Sequence, residues 1–283
     1  MKKPDPVEIF AKRLPISNGQ FHLLCPAGIG DFAWIWSKWH AVAAERDCTF
    51  WFPQGEQKRA GALAQMYGAR YGYMPGLNTR WVWEQDGEPK IPSSGAVLPL
   101  HPNRHLEAGY RIEEWYPRLP FKCPVPELNT ALYKTEVGTT PYVVAFLCHE
   151  GYMEGNLLPG VWARVLQHIE QEIAPVVLVG ADKDVPFIEK VCETFDPTLA
   201  PITNASLDQV LAAIQGSVGM IGVAGGLSII STYLGIPTLH AYPRWLAQMP
   251  GSWEHEGARA SWCFVDELPF NLEIVPMALA RKT

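Results

Sequence analysis

Residues 23–33 read LLCPAGIGDFA, and this stretch sets the fold of the first half of the chain. The apolar run that ends at Pro26 predicts a short buried strand, and residues 32–44, which lack glycine and proline, predict a helix. Two glycines and Asp31 lie between them. Because glycines let the backbone approach a ligand closely and a helix N-terminus presents unpaired N–H groups, this order predicts a ligand-binding turn.

The second half of the chain repeats the order of strand, glycine turn and helix. Residues 142–147 and 175–180 are apolar runs of the kind found in parallel strands buried on both faces, and a helical pattern separates them. Residues 206–209 match a capping box and open another helix. A further strand, the turn VAGGLS at 223–228 and a short helix follow. This alternation predicts a doubly wound parallel sheet.

Length and composition predict two domains of a cytoplasmic protein. A chain of 283 residues suits two cores, and the prolines between residues 117 and 141 predict a linker. We therefore expect an α/β chain of two facing Rossmann-like domains, 1–130 and 131–283, with a cleft between them. The net charge of −6 disfavours non-specific nucleic-acid binding, and the absence of a long apolar segment predicts no stable membrane insertion.

The first glycine turn is compatible with more than one chemistry. Gly28, Gly30 and Ala33 satisfy the G-x-G-x-x-A pattern of dinucleotide-binding turns. A nicotinamide site also needs an acid at the end of the second strand, where this chain has WFPQ at 51–54, so a dehydrogenase is disfavoured. Asp31 would repel a phosphate but suits a general base that accepts a proton from a hydroxyl. Capping its own helix is the alternative role.

At these residues the chain resembles the GT-B glycosyltransferases of the heptosyltransferase type. It is thus similar to glycosyltransferase family 9. The turn AGIGDFAWIW at 27–36 is similar to their first glycine turn, whose acid is regarded as the catalytic base. In the second half, LPGVWARVLQHI at 158–169, PVVLVGADKD at 175–184 and residues 206–242 are similar to their segments in order and spacing. The chain departs from the family at 224–229, AGGLSI, where the usual acid and histidine are absent.

The resemblance implies a metal-independent transferase that moves a sugar from a nucleotide-sugar donor to a hydroxyl of a glycan or glycolipid, without a cofactor. Asp31 is then the base, and two glycines and a serine offer N–H groups and a hydroxyl to the donor diphosphate. The expected acceptor contacts are Gly28, Gly30, Trp34 and Arg104. The expected donor contacts are Gly180, Ala224, Gly225, Gly226, Leu227, Ser228, His149 and Asn156.

Two alternatives stay open at this stage. Other GT-B enzymes act on a hydroxylated base in DNA, which makes such a base a second acceptor class. The missing acid and histidine at 224–229 also fit a non-catalytic protein that binds a nucleotide-sugar with the same fold. The glycine turn at 223–228 has a structural alternative too, since a tight turn lets a strand and a helix pack closely.

Overall fold

The computed structural model describes residues 20–25, 28–45, 47–75, 77, 96–99, 140–148, 157–246 and 259–279. The chain divides into two compact units, Met1–Leu128 and Asn129–Thr283. Each unit contains a parallel sheet with helices, which confirms the predicted α/β class.

The first unit has a four-stranded sheet in the order β3-β2-β1-β4, and every pairing in it is parallel. Its strands are β1 (Phe21–Leu24), β2 (Cys48–Pro53), β3 (Tyr71–Met74) and β4 (Ala96–Pro99). Its helices are α1 (Ile29–Glu45), a π-helix (Gln57–Gly61) and α2 (Ala62–Met66). The strand order reverses beside β1, so the turn that follows β1 lies at a topological switch point, where ligands of such sheets bind.

Aromatic side chains hold α1 against the first sheet. The ring of Phe32 meets those of Phe50 and Phe52 edge to face, with centroids 5.6 and 5.0 Å apart. One turn further along, Trp36 meets Phe50 at 5.4 Å. Edge-to-face pairs of this kind add to the stabilisation from buried apolar area. They fix the start of α1, and with it the first glycine turn, relative to β1 and β2.

The second unit has a six-stranded parallel sheet in the order β10-β9-β8-β5-β6-β7. Its strands are β5 (Val143–Phe146), β6 (Val176–Gly180), β7 (Ile202–Thr203), β8 (Gly219–Val223), β9 (Thr238–Tyr242) and β10 (Ala260–Phe264). Its α-helices are α3 (Pro159–Glu172), α4 (Val185–Cys192), α5 (Leu207–Gln215), α6 (Gly226–Tyr233) and α7 (Ile274–Leu279). The order reverses between β5 and β8, and the second glycine turn follows β8.

Apolar stripes on the helices cover this second sheet. On α3 the buried residues Trp162, Val165, Leu166 and Ile169 recur at the spacing of one helix face. Pro159 begins the same helix, where its missing N–H costs nothing. Over the described ranges, no helix has the length and apolar character needed to cross a membrane.

Gly222 brings β8 close to β5. A Cβ at this position would lie 2.9 Å from the carbonyl oxygen of Phe146, which is backbone and cannot turn away. We expect Gly222→Ala to lower the free energy of unfolding by about 1–3 kcal/mol, measured by urea titration followed by circular dichroism. Gly160→Ala is the matched control, because a Cβ there meets no described atom within 4 Å. Equal losses in the two variants would contradict this explanation.

Candidate active site

The first glycine turn places an acid in the first turn of a helix. The Phe32 N–H donates to the Gly28 carbonyl at 3.0 Å, so Gly28 is the residue that precedes α1. Asp31 follows within the first turn. An acid at this position is stabilised by the positive end of the helix dipole, as the capping role requires.

The Asp31 carboxylate folds back over Gly28. A Cβ at residue 28 would lie 2.5 Å from Asp31 Oδ2 and 3.2 Å from Asp31 Cγ. Gly28 is therefore required by a close approach of the carboxylate, and any larger residue displaces that group. Gly28, expected as an acceptor contact, thus has a steric reason to be glycine that its sequence pattern alone did not provide, and the acceptor contact itself stays a prediction.

The surroundings of Asp31 change its acidity. Burial raises its pKa from the ordinary 3.8 to about 7, and the positive charge of Arg59 opposes the rise with a smaller effect. A general base acts best when its pKa lies near the working pH. Asp31 thus has the acidity that proton transfer near neutral pH requires, and helix capping by itself does not need such burial.

A π-helix after β2 contains Arg59, whose positive charge acts on Asp31. The Gly61 N–H donates to the Glu56 carbonyl at 3.1 Å, and Arg59 Nε lies 3.8 Å from the largely buried Glu56 carboxylate. A Cβ at Gly61 would collide with the Tyr73 hydroxyl. Irregular helical turns of this kind are frequent at functional sites. Arg59 belongs to no sequence motif. Its position shortly after the second strand is the only feature of the sequence that indicates a role near the first glycine turn.

The other predicted acceptor contacts have different positions. Gly30 lies in the first turn of α1, next to Asp31. Trp34 is buried, with 6% of its surface exposed, and its role as an acceptor contact stays a prediction. Arg104 and the two predicted donor contacts His149 and Asn156 lie outside the described residues.

The second glycine turn, defined here as residues 223–228, leads from β8 into α6. The Ala224 N–H continues the sheet by donating to the Ala241 carbonyl at 2.9 Å, and the Gly225 N–H donates to Ser228 Oγ at 3.0 Å. The next two N–H groups, of Gly226 and Leu227, belong to the first positions of α6, where helix geometry provides no partner. The turn thus presents main-chain donors suited to an anion.

The Ser228 hydroxyl is turned inward. The residue is fully buried, and its Oγ lies 3.0 Å from both the nitrogen and the carbonyl oxygen of Gly225. The expectation that this hydroxyl faces a ligand is therefore corrected, because the side chain caps the turn instead. Its contribution to an anion site is limited to its backbone N–H.

Gly180 is required by packing at the carboxyl end of β6. A Cβ there would lie 2.8 Å from Ile188 Cδ1 and 2.9 Å from Asp184 Cβ. The Asp184 carboxylate accepts the Ala181 N–H at 2.9 Å. Packing against α4 thus also explains the glycine at 180, which was predicted as a ligand contact.

Asp184 also acts on a neighbouring thiol. Burial, with a further contribution from Asp184, raises the pKa of the Cys148 thiol to about 12, so this thiol stays protonated.

Comparison with known proteins identifies the fold. No family model matches the sequence, and no curated protein matches it either. Among solved structures, the E. coli ADP-heptose LPS heptosyltransferase II matches with a TM-score of 0.65 over 93% of this chain and 99% of that one, at 14% identity. The chain has the heptosyltransferase fold. This result confirms the GT-B-like fold class that the resemblance implies.

Two further structures support the same heptosyltransferase fold. E. coli heptosyltransferase WaaC with ADP-2-deoxy-2-fluoro heptose matches with a TM-score of 0.60 over 91% of this chain and 98% of that one, at 12% identity. A glycosyl transferase family 9 protein from Veillonella parvula matches with a TM-score of 0.58 over 89% and 88%, also at 12% identity. The similarity extends over both units of the chain.

The raised pKa of Asp31 makes stability depend on pH. An acid with a higher pKa in the folded state binds its proton more tightly when folded, so the wild type loses stability as pH rises from 3.8 to about 7. Asn cannot ionise and escapes this loss. We expect Asp31→Asn to exceed the wild type at pH 8 by about 1–3 kcal/mol in urea unfolding, and by less at pH 5.

Asp208→Asn is the control for this experiment. Asp208 is also an acid in the first turn of a helix, α5, and like Asp31 it is partly exposed. A gain that grows with pH in Asp31→Asn alone assigns the effect to the surroundings of Asp31 and not to the loss of an acid in a first helical turn. A difference between Asp31→Asn and the wild type that does not change with pH would refute the raised pKa.

Proposed function

We propose that this chain is a glycosyltransferase that moves a sugar from a nucleotide-sugar to an acceptor hydroxyl. The observation that carries the proposal is the Asp31 carboxylate, held over Gly28 with a pKa of about 7 in the turn after the first strand. The heptosyltransferase fold supports it, because the matched solved structures named above are glycosyltransferases. A carboxylate in this setting suits deprotonation of a hydroxyl nucleophile.

In the proposed reaction, the acceptor oxygen attacks the anomeric carbon of the donor sugar. The proton of the acceptor hydroxyl passes to Asp31, and the bond between the anomeric carbon and the diphosphate oxygen breaks with its electron pair on oxygen. The N–H groups of Gly226 and Leu227 stabilise the departing nucleoside diphosphate. Positioning of the two substrates supplies the rest of the acceleration. We propose that no metal ion takes part.

An ADP-sugar is the first donor to test. One matched heptosyltransferase was solved with ADP-2-deoxy-2-fluoro heptose and another structure of it with ADP. The acceptor that we propose is a hydroxyl of a glycan or glycolipid. The main-chain donors of the second glycine turn bind a diphosphate whatever the nucleobase, so GDP and UDP belong in the same binding experiment.

A non-catalytic nucleotide-sugar-binding protein is the second candidate. The observation in its favour is the sequence AGGLSI at 224–229, which contains neither an acid nor a histidine. Binding of ADP without any sugar transfer would support it. Binding of NADH in place of a nucleoside diphosphate would instead support the dehydrogenase that the first glycine turn also allows.

Replacement of Asp31 tests the catalytic proposal. Asp31→Asn removes the proton acceptor, so we expect sugar transfer to fall by about 10²–10⁴-fold. Transfer is measured as ADP release from an ADP-sugar with lipopolysaccharide-core acceptors, and ADP affinity is measured by calorimetry. The affinity should stay unchanged. In the wild type, kcat/KM should rise with pH and level off above about 7, because Asp31 must be ionised to act. Full activity of Asp31→Asn excludes it as the base.

Gly28 gives an independent test of the same site. Gly28→Ala introduces a Cβ 2.5 Å from Asp31 Oδ2, so the carboxylate must move. We expect transfer to fall by about 10²-fold, since misplacement of a catalytic group by about 1 Å has an effect of that size. ADP affinity should not change. Gly160→Ala, at an open position of α3, is the control and should retain transfer; a wild-type rate in Gly28→Ala argues against the proposed carboxylate position.

A further inference from the structure

We propose that His240 is a positioning residue that holds the second glycine turn in the shape that binds the donor diphosphate. The inference rests on the proposed function, because that function assigns the turn to the donor. His240 lies on β9, behind the turn, and acts through Ser228. The sequence gives one signal for it, a histidine in the middle of the buried strand TLHAY.

Both ring nitrogens of His240 bond to hydroxyls of α6. Nδ1 lies 3.1 Å from Ser228 Oγ, and Nε2 lies 2.9 Å from Thr232 Oγ1. The ring is buried, and burial lowers its pKa to about 4, so the imidazole is neutral at physiological pH. A neutral imidazole has one donor and one acceptor nitrogen and therefore serves both hydroxyls at once.

Ser228 connects His240 to Gly225 in the second glycine turn. Its Oγ accepts the Gly225 N–H at 3.0 Å and lies 3.0 Å from the Gly225 carbonyl oxygen. A hydroxyl has one proton, which goes either to that carbonyl or to Nδ1 of His240. In both arrangements Ser228 keeps its bond from the Gly225 N–H, and the imidazole holds the hydroxyl from the side of β9.

The bond from Gly225 determines which main-chain groups are left for a ligand. Gly225 is extended, with φ −174° and ψ −171°, and its N–H points inward to Ser228. The N–H groups of Gly226 and Leu227 are the next along the chain and remain for the diphosphate. Glycine has more backbone freedom than any other residue, so a turn without this bond must be ordered by the ligand itself, which weakens binding.

A parallel contact between α6 and β9 makes a structural role distinguishable from a positioning role. Ser231 Oγ lies 2.7 Å from Thr238 Oγ1, and Thr232 Oγ1 lies 3.0 Å from the Ser228 carbonyl oxygen. The first of these bonds joins the helix to the strand, the second lies within the helix, and neither reaches Gly225. Variants of Thr232 therefore affect stability without removing the link from His240 through Ser228.

The test compares ADP affinity among variants by calorimetry, at a temperature where circular dichroism shows all of them folded. Ser228→Ala and His240→Gln break the link to Gly225, and we expect each to weaken ADP binding about tenfold. Thr232→Val removes the bond at Nε2 and the bond to the Ser228 carbonyl but leaves the contact between Nδ1 and Ser228 Oγ, so its ADP affinity should stay within about twofold of the wild type. His240→Asn places its amide near the position of Nδ1 and should recover most of the affinity that His240→Gln loses.

The outcomes separate this inference from the proposed function. Wild-type ADP affinity in Ser228→Ala and His240→Gln, or equal losses in these two and Thr232→Val, overturns the positioning role and leaves the donor site in place. A wild-type chain that binds none of ADP, GDP and UDP overturns both. Lower melting temperatures by themselves, with unchanged affinity, mean that His240 only stabilises the core.

Discussion

A parallel sheet buried on both faces can display chemical groups only where its strands end, and this constraint governs the whole chain. The strands that lead into the two glycine turns, β1 and β8, are buried along their whole length, so neither face of them is available to a ligand. Each sheet reverses its strand order once, and a glycine turn lies beside each reversal. The strand order of each sheet therefore determines where the acid of the first turn and the main-chain donors of the second turn lie.

The order of elements could be predicted from the sequence because it depends on local patterns. Apolar runs of strand length, the glycines after them and the capping box at Ser206 each predict one element, and the structure contains it. Directions of side chains could not be predicted in this way. Ser228 was expected to offer its hydroxyl to a ligand and turns inward, and the burial of Trp34 could not be predicted from its place in the sequence. Both depend on long-range packing, which periodicity does not record.

The close approach of Asp31 to Gly28 is another feature that could not be predicted from the sequence. The sequence indicates a glycine and an acid three residues apart, which is also the pattern of an ordinary helix start. Only the folded chain shows the carboxylate over a position without a side chain, in surroundings that make ionisation costly. A burial that opposes folding at neutral pH is typical of residues retained for reactivity, since stability by itself would favour a neutral side chain there.

The second glycine turn has a consequence for how such a site changes over evolution. The anion donors of the proposed site are main-chain N–H groups, and the polar side chain of the turn is used inside the protein. In such a site, recognition depends on backbone conformation, which many sequences can encode. Side chains around the turn can then change to suit another nucleobase or sugar without altering the main-chain groups offered to a diphosphate.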